Sequence, residues 1–302
     1  MRLGLVGDIW AIRFCLVTAF SPFGRRGSTT LLRHCHRGRN RSICTRRYDA
    51  DLAAMSSDSM SELEVEQKFA LYPGVEDKLI SLGFVRKGDS IQFTDIYYDL
   101  PAPNWSLTPR DIWLRYRGQR VRKDGDGHAT RGWKGNWQLK IGRQSDGDGA
   151  VTVYEEIQGE RALTTALSMI EASSNSEPDV VHTDQLPPNA PANLSPFAEF
   201  ETSRSSWILS PEAVKKSPDF VGLSVDIDTT DFDYGVGEVE AILHSRDDND
   251  VLSDAERRIG RLVSKLVGES SSTVPSLGKL ETFMMKHRRD HFDACMKASI
   301  FK

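Results

Sequence analysis

The sequence predicts an α+β fold in which eight strands form an antiparallel sheet and helices cover its apolar face. Two observations support this fold class. Eight short segments have the composition of strands, and five of them alternate between charged and apolar side chains, as strands with one buried face do. Four other segments repeat apolar residues at the helical period. With 302 residues and 39% hydrophobic content, the chain is long enough to bury a sizeable core.

The predicted elements follow one another through the body of the chain. The strands are Glu62–Phe69, Ile91–Asp99, Ile112–Arg117, Asn136–Ile141, Val151–Ile157, Ala198–Trp207, Leu223–Thr230 and Val236–Leu243. The helices are Val75–Leu82, Ala162–Ala172, Asp254–Val267 and Lys279–Met296. Residues 120–135 and 173–196 are rich in turn-forming residues and lack apolar periodicity, so they are predicted to be mobile surface loops.

The first predicted strand contains the most informative segment of the chain. Glu64, Glu66 and Lys68 fall on one face of this strand, whereas Leu63 and Val65 fall on the other. The same separation of charged from apolar side chains recurs in four further strands. Their charged faces carry Arg115, Arg117, Lys140, Asp226, Asp228, Glu238 and Glu240.

Two architectures accommodate such a charged face. In an open sheet the face lies in water, whereas in a closed barrel it lines the interior. Carboxylates two positions apart favour the barrel, because such pairs repel and are tolerable only where opposite charge compensates for their desolvation. At an effective dielectric constant of about 20, one ion pair at about 4 Å is worth roughly 4 kcal/mol, so a multiply charged ligand can offset much of the repulsion.

The mixture of charges predicts a metal-bound polyphosphate as the ligand. Paired carboxylates are the hard oxygen ligands that suit Mg²⁺, and Arg and Lys bind phosphate oxygens. The sequence contains no GxxxxGK[ST] loop and no Gly-x-Ser-x-Gly motif, and Cys35 and Cys44 lack the paired spacing of zinc ligands. These absences exclude a Walker-type nucleotide site, an α/β-hydrolase nucleophile and a zinc site of the usual spacing.

Residues 1–55 are predicted to be a basic N-terminal extension outside the fold. Residues 1–48 contain ten Arg, no Lys and one acidic residue, Asp8. This composition is typical of a mitochondrial presequence, and an unstructured extension or a later start codon is an equal alternative. Asp8 and Arg13 interrupt its apolar stretch, so no membrane span is expected. Few aromatic residues accompany the arginines, so nucleic-acid binding is not expected either.

The cellular location follows from the cysteines and the extension. Three of the four cysteines lie in the extension, which leaves Cys295 in the body of the chain. Such a distribution predicts a reduced, intracellular protein without a disulfide framework. We expect a cytoplasmic location, with a mitochondrial one as the alternative if the extension acts as a presequence.

The ordered motifs of the chain resemble those of the CYTH family of triphosphate tunnel metalloenzymes. The motifs are Glu64, Glu66 and Lys68 (Glu-x-Glu-x-Lys), Asp95–Asp99, Trp113–Arg117, Trp137–Lys140, Tyr154–Glu156, Arg204–Trp207 and Val225–Glu240. The resemblance covers about residues 61–285, so residues 56–302 are expected to form one CYTH domain. Within the family, the chain is most similar to members that hydrolyse thiamine triphosphate.

The resemblance implies both a fold and an activity. The fold is an eight-stranded antiparallel closed β-barrel that forms a tunnel, with helices packed outside. The activity is Mg²⁺-dependent cleavage of the terminal phosphate of thiamine triphosphate to give thiamine diphosphate and phosphate. The expected partner is this small-molecule triphosphate, and the expected state is a monomer. An inorganic tripolyphosphatase and a polyphosphate-binding module without turnover are the alternatives.

The resemblance also implies roles for individual residues. The triphosphate is expected to contact Lys68, Arg115, Arg117, Lys140, Arg204 and Lys279. Mg²⁺ is expected at Glu64, Glu66, Asp226, Glu238 and Glu240, with Asp228 and Glu156 as further candidates.

Two more residues receive roles in catalysis and specificity. A Tyr–Lys pair is implied as the general base, and it corresponds to Tyr97 and Lys140. Lys140 can accept a proton only if neighbouring arginines lower its pKa, so a nearby carboxylate is the alternative. Trp113 shares a strand face with Arg115 and Arg117, and its indole is expected to stack on the cationic thiazolium ring of the substrate. The alternative role of Trp113 is to close one end of the barrel.

Overall fold

A computed structural model describes residues 62–123, 130–143, 150–172, 187, 190–243, 249–268 and 276–301. Within these ranges the chain forms nine strands and five helices. The strands are β1 (Glu62–Ala70), β2 (Phe84–Arg86), β3 (Ile91–Asp99), β4 (Ile112–Lys123), β5 (Thr130–Arg143), β6 (Thr152–Gln158), β7 (Ser195–Leu209), β8 (Ser224–Thr230) and β9 (Gly235–Leu243). The helices are α1 (Val75–Ser81), α2 (Glu160–Glu171), α3 (Asn249–Val267), α4 (Lys279–His287) and α5 (Arg289–Lys297).

Eight of the strands form a closed antiparallel ring. Its order is β7, β3, β4, β5, β6, β1, β9 and β8, and the ring closes because β7 pairs with β3 on one side and with β8 on the other. Strand β2 pairs with the end of β7, where Phe84 lies opposite Leu209 and Arg86 lies opposite Trp207, and it lies outside this cycle. The predicted eight-stranded closed barrel is confirmed.

The strand register turns the charged faces towards the inside of the ring. Glu66 lies opposite Glu240, and Lys68 lies opposite Glu238, across the β1–β9 pair. Asp226 lies opposite Glu238 across the β8–β9 pair. Opposed residues share one face of a sheet, so these side chains converge on one interior surface.

The apolar faces form cores against helices on the outside of the ring. Helix α3 packs on β1 and β9 through Ile259 and Leu262, which have no exposed surface. Helix α2 packs on β5 and β6 through Leu163 and Ile170. This packing explains why the apolar residues alternate with charged ones along each strand.

Helices α4 and α5 cover one end of the ring. Met284 of α4 and Phe292 of α5 pack against Tyr97, Trp113 and Phe200, whose strands place them on the interior face. A third core therefore closes part of the interior. Within the described ranges, no helix is long and apolar enough to span a membrane.

The structure differs from the predicted elements at residues 120–135. Strand β4 continues to Lys123 and β5 begins at Thr130, so most of this stretch forms a paired hairpin and only residues 124–129 lie outside the described ranges. Gly118 pairs with Gly135, where a Cβ on Gly135 would lie 2.2 Å from the Arg117 carbonyl oxygen. The hairpin glycines that suggested a loop therefore permit a close approach of two strands.

Other predicted boundaries shift as well. Lys279–Met296 is divided into α4 and α5 at Arg288, whose φ of −140° and ψ of 56° are not helical and whose Nε donates to the Phe197 carbonyl at 2.8 Å. Of the predicted loop at 173–196, residues 190–194 lack helix and strand, and β7 begins at Ser195. The remaining parts of that loop, and the extension at residues 1–55, lie outside the described residues.

Candidate active site

The closed ring encloses a cavity of about 250 Å³. Among the described residues, six cationic side chains and seven carboxylates line its wall. They are Lys68, Arg115, Arg117, Lys140, Arg204, Lys279, Glu62, Glu64, Glu66, Glu156, Glu238, Glu240 and Glu281. Tyr97 and Trp113 lie in the same wall. The structure therefore brings together all the predicted phosphate-binding and catalytic residues and most of the predicted metal ligands.

Strand β4 supplies two arginines that Asp95 of β3 holds in place. Arg117 donates from Nε and Nη2 to the two carboxylate oxygens of Asp95, at 2.7 and 2.8 Å. Arg115 Nη1 lies 3.7 Å from Asp95 Oδ2, and its Nε donates to Gln138 Oε1 at 2.8 Å. Burial opposes ionisation of Asp95, but the two arginines outweigh it and hold the carboxyl pKa well below its usual range. Asp95 thus orients both guanidinium groups towards the cavity.

Arg204 of β7 forms the centre of a second group of ion pairs. Its Nε and Nη2 donate to the two Asp228 oxygens at 2.7 and 2.6 Å, its Nη2 lies 3.2 Å from Glu238, and its Nη1 contacts Asp226. Lys279, the first residue of α4, contacts Asp228 and lies 3.6 Å from Glu238. Glu238 belongs to the cavity wall, whereas Asp226 and Asp228 do not. Asp228 thus binds Arg204 and Lys279 and does not line the cavity itself.

Strands β1 and β5 place lysines against glutamates. Lys140 Nζ contacts Glu64 and lies 3.4 Å from Glu66 Oε2, while Lys68 Nζ contacts the other oxygen of Glu66. Burial raises the pKa of Glu66, but Lys140 and Lys68 outweigh burial and lower this pKa to about 2. Glu66 is therefore ionised throughout the neutral range.

Two wall carboxyls have too little positive charge around them. Burial, together with neighbouring Glu64 and Asp226, raises the pKa of Glu240 to about 8. Burial also raises the pKa of Glu64, and the charge of Lys140 does not fully compensate. A divalent cation fits this donor set, since it would relieve the repulsion and since Mg²⁺ prefers carboxylate oxygens.

The carboxylates are not yet arranged around a single metal position. Within the described part of the chain, no three His, Cys, Asp or Glu side chains form a ready-made metal site. The carboxylates are kept apart by ion pairs, because Lys68 binds Glu66, Lys140 binds Glu64 and Arg204 binds Asp226. The roles of Glu64, Glu66, Glu238 and Glu240 as Mg²⁺ ligands, and of Asp226, Asp228 and Glu156 beside them, stay predictions.

Lys140 has the wrong charge environment for a general base. Burial alone would lower the pKa of its ammonium group, but Glu64 and Glu66 outweigh burial and hold this pKa above its usual value. Arg115 lowers this pKa but is too weak, so the condition on which a general-base role of Lys140 depends is not met while Glu64 and Glu66 lie beside it. Tyr97, the other member of the predicted pair, accepts a hydrogen bond from Arg115 Nη1 at 3.2 Å. Tyr97 is therefore placed to orient a guanidinium group.

Trp113 lies in the cavity wall, but another aromatic ring already covers its indole. Phe301 stacks on this indole, with 5.8 Å between the ring centroids and 14° between the ring planes. The indole Nε1 donates to Asp111 Oδ1 at 2.7 Å, and 7% of the Trp113 surface is exposed. Stacking of Trp113 on a substrate ring stays a prediction.

Several wall residues had no predicted role, among them Gly278, Glu281 and Phe301. Glu281 accepts a hydrogen bond from the Gly278 N–H in the first turn of α4, and a Cβ on Gly278 would lie 3.0 Å from Lys68 Cε. The sequence signal for this turn was an acidic residue three positions after a potential N-cap. Phe301 carried no comparable signal, because it follows the last helix and belongs to no repeated pattern.

Comparisons with known proteins agree with this architecture. The CYTH domain family model matches residues 62–266. The chain is 30% identical over 239 residues to thiamine-triphosphatase of Homo sapiens, which covers 78% of this chain and 90% of that protein. It is also 30% identical over 241 residues to thiamine-triphosphatase of Macaca fascicularis, with 80% and 92% covered. A solved protein of Pyrococcus horikoshii matches with a TM-score of 0.43 at 13% identity and covers 74% of this chain and 99% of that one.

Proposed function

The chain belongs to the CYTH domain family, and on that premise we propose that it is a Mg²⁺-dependent hydrolase that converts thiamine triphosphate to thiamine diphosphate and phosphate. Two relatives at 30% identity carry the name thiamine-triphosphatase. The observation that carries the proposal is the cavity wall, which combines six cationic side chains with clustered carboxylates inside one closed sheet.

The charge of the cavity wall supports a metal-bound triphosphate as the ligand. Its described residues comprise seven carboxylates and six cations, so the wall is close to neutral overall. A triphosphate brings several negative charges, and the lysines and arginines are already paired with carboxylates. A divalent cation among those carboxylates would free the lysines and arginines to bind phosphate oxygens.

We assign the phosphate contacts to the six wall cations. Arg115, Arg117 and Arg204 present planar donors whose orientation Asp95 and Asp228 fix in advance, so little side-chain freedom is lost on binding. The remaining point charges come from Lys68, Lys140 and Lys279.

We assign Mg²⁺ to the wall carboxylates Glu64, Glu66, Glu238 and Glu240, with Asp226 and Glu156 able to act through water. The ion supplies positive charge to the phosphoryl oxygens when it is bound. The chain itself holds the triphosphate in one orientation, surrounds the terminal phosphoryl group with donors and restricts the access of bulk water.

Attack by water on the terminal phosphoryl group requires a proton acceptor. Lys140 suits this role only if bound Mg²⁺ draws Glu64 and Glu66 away from it, because these carboxylates hold the pKa of its ammonium group above the usual value. We therefore assign proton acceptance to a wall carboxylate. Glu156 is a candidate, and its Oε1 accepts a hydrogen bond from Gln158 Nε2 at 3.1 Å. Glu156→Gln should then lower kcat far more than it changes KM.

An inorganic tripolyphosphatase is the second candidate function. It is favoured by the contact of Phe301 with Trp113, which leaves the indole little free surface for an organic ring. Tripolyphosphate would need only the lysines and arginines of the wall.

Phosphate release by the purified full-length chain tests the proposal. Thiamine triphosphate, tripolyphosphate and ATP are compared with Mg²⁺ and with excess EDTA. Two changes on β5 give a matched comparison. Lys140→Ala removes a wall cation, whereas Arg143→Ala removes an exposed cation that lies 2.9 Å from Glu155.

The proposal expects Mg²⁺-dependent turnover with a preference for thiamine triphosphate, a large loss in Lys140→Ala and near-normal turnover in Arg143→Ala. A preference for tripolyphosphate would select the second candidate. Binding without hydrolysis of any compound would identify a polyphosphate-binding module instead.

A further inference from the structure

The last described residue places an aromatic ring in the cavity wall. Beyond α5, Ser299 adopts a φ of 60°, which turns the chain back on the helix. The Ile300 N–H donates to the Cys295 carbonyl at 3.0 Å and holds this turn. Phe301 follows directly and lines the cavity beside Trp113.

Phe301 is the middle ring of a stack of three. On one side it faces Trp113 of β4 at 5.8 Å, and on the other it faces Phe292 of α5 at 5.2 Å, with 25° between those two planes. Phe292 does not belong to the cavity wall. The Phe301 ring thus separates the wall indole from the helix.

The stack leaves no position for a third ring on the indole face that Phe301 covers. Carbon atoms in contact lie about 3.5 to 4 Å apart, so a ring inserted between two others needs them about 7 to 8 Å apart. Trp113 and Phe301 are 5.8 Å apart and nearly parallel, and 7% of the surface of each residue is exposed. On the indole face that Phe301 covers, a ligand ring can therefore stack only where Phe301 now lies.

We propose that Phe301 is a specificity-determining residue, because the ring of an organic triphosphate must displace it from Trp113 whereas a ring-free triphosphate binds with it in place. This inference rests on the proposed function, since it concerns which triphosphate the cavity selects. A cationic ring gains a cation–π contact with the indole that the neutral phenyl ring of Phe301 does not provide. The cost of displacing Phe301 is common to all ring-bearing triphosphates, so Phe301 discriminates these from ring-free ones, whereas Trp113 favours a cationic ring.

The test measures the ratio of kcat/KM for thiamine triphosphate to kcat/KM for tripolyphosphate in the full-length chain. Phe301→Ala should raise this ratio about tenfold, the order of one aromatic pair. Trp113→Ala should lower the ratio, and adding Phe301→Ala to Trp113→Ala should change it no further. Ile300→Ala serves as the matched control, because Ile300 lies in the same turn but not in the cavity wall.

An unchanged or lowered ratio in Phe301→Ala would overturn the inference, as would an equal rise in Ile300→Ala. Phe301→Leu protects the test against misfolding, since leucine fills similar space without a flat ring. We expect it to raise the ratio less than alanine does, and an unchanged ratio in a folded Phe301→Leu protein would also overturn the inference.

Failure of the proposed function has a different signature. If the parent protein hydrolyses neither compound, that function fails, and calorimetric Kd values for the two compounds then provide the ratio. The expected shift in Phe301→Ala is the same for Kd, so the role of Phe301 is still decided.

Discussion

Asp95 and Asp228 are fully buried, each contacts two cations, and neither belongs to the cavity wall. They lie on the interior faces of β3 and β8 and fix the cations that do reach the cavity. The alternation of residues along single strands predicts which side chains face inward. This alternation does not predict the register between strands. The register places Asp95 opposite Arg117, so that Asp95 binds the arginine rather than a ligand.

Asp95→Asn should therefore reduce both stability and substrate binding. The amide keeps the size of Asp95 but leaves buried Arg115 and half-buried Arg117 without their counter-charge, so we expect the free energy of unfolding to fall by about 3 kcal/mol. KM for triphosphate should rise, since Arg115 and Arg117 lose their fixed orientation. Urea denaturation and steady-state kinetics measure the two effects.

The control for Asp95→Asn is Asp219→Asn. Asp219 is exposed and lies 2.8 Å from Arg261, also exposed, so its loss should cost less than about 1 kcal/mol. Equal losses in the two variants would contradict the role given to Asp95.

The pKa of Glu240 should make stability depend on pH in the metal-free protein. Between its unfolded value of 4.5 and about 8, the folded state keeps a proton that the unfolded state releases. The free energy of unfolding should therefore fall as pH rises through this window, by at most about 1.4 kcal/mol per pH unit from this group. Glu240→Gln removes the titrating group, so its stability should fall less.

Urea denaturation in EDTA at pH 5, 6, 7 and 8 measures this difference. Parallel stability curves for the parent protein and Glu240→Gln would show that Glu240 titrates normally. Excess Mg²⁺ should flatten the curve of the parent protein, because a bound cation favours the ionised carboxylate.

At the scale of secondary structure, sequence patterns succeed where one face of an element is buried. The eight predicted strands all appear in the ring, and five of them alternate between charged and apolar residues because one face packs on a core. The hairpin of β4 and β5 beyond Arg117 was missed, since Val121 and Trp133 are its only large apolar residues within the described ranges and it is stabilised mainly by strand pairing. The break between α4 and α5 was missed because Arg288 and its neighbours include no Gly or Pro.

Two glycine substitutions should have opposite effects on stability. Gly135→Ala places a Cβ 2.2 Å from the Arg117 carbonyl oxygen and 2.5 Å from Gly118 Cα, so it must separate β4 from β5. Gly260 lies inside α3 with its nearest neighbour 3.8 Å from a Cβ position. Gly260→Ala should therefore stabilise the protein by about 0.5 to 1 kcal/mol.

Thermal unfolding of the two variants measures the contrast. Gly135→Ala should lower Tm. It should also raise KM, because Arg117 lies opposite Asn136, the residue next to Gly135, and would move with the strand. A higher Tm in Gly135→Ala than in the parent protein would show that the hairpin does not need its close approach.

At the scale of the whole molecule, one closed sheet provides both the core and the site. The outer faces hold α1, α2 and α3, and the inner faces hold the charges, so a ligand in the cavity bridges strands from around the ring. The existence of this cavity could be predicted from the charged faces. Its closure at one end by α4 and α5 could not, since no pattern in either helix indicates which end they cover.

Binding of tripolyphosphate with Mg²⁺ should raise the stability of the whole ring. A ligand that binds only the folded state at about 100 times its Kd adds about 2.7 kcal/mol to the free energy of unfolding. Thermal unfolding with and without ligand measures this gain. Lys140→Ala should lose most of the gain and Arg143→Ala should keep it, and equal gains would place the ligand outside the cavity.

The pairing of β1 with β9 has a consequence for how the chain acquires its fold. Leu63 in the first described strand lies opposite Leu243 in the last. On its other edge β1 pairs with β6, which is also synthesised later. A ribosome releases β1 long before β9, so the apolar side chains of β1 stay uncovered while most of the chain is made. Long-range pairing of this kind also slows folding. The nascent chain should therefore depend on chaperones until the ninth strand has emerged.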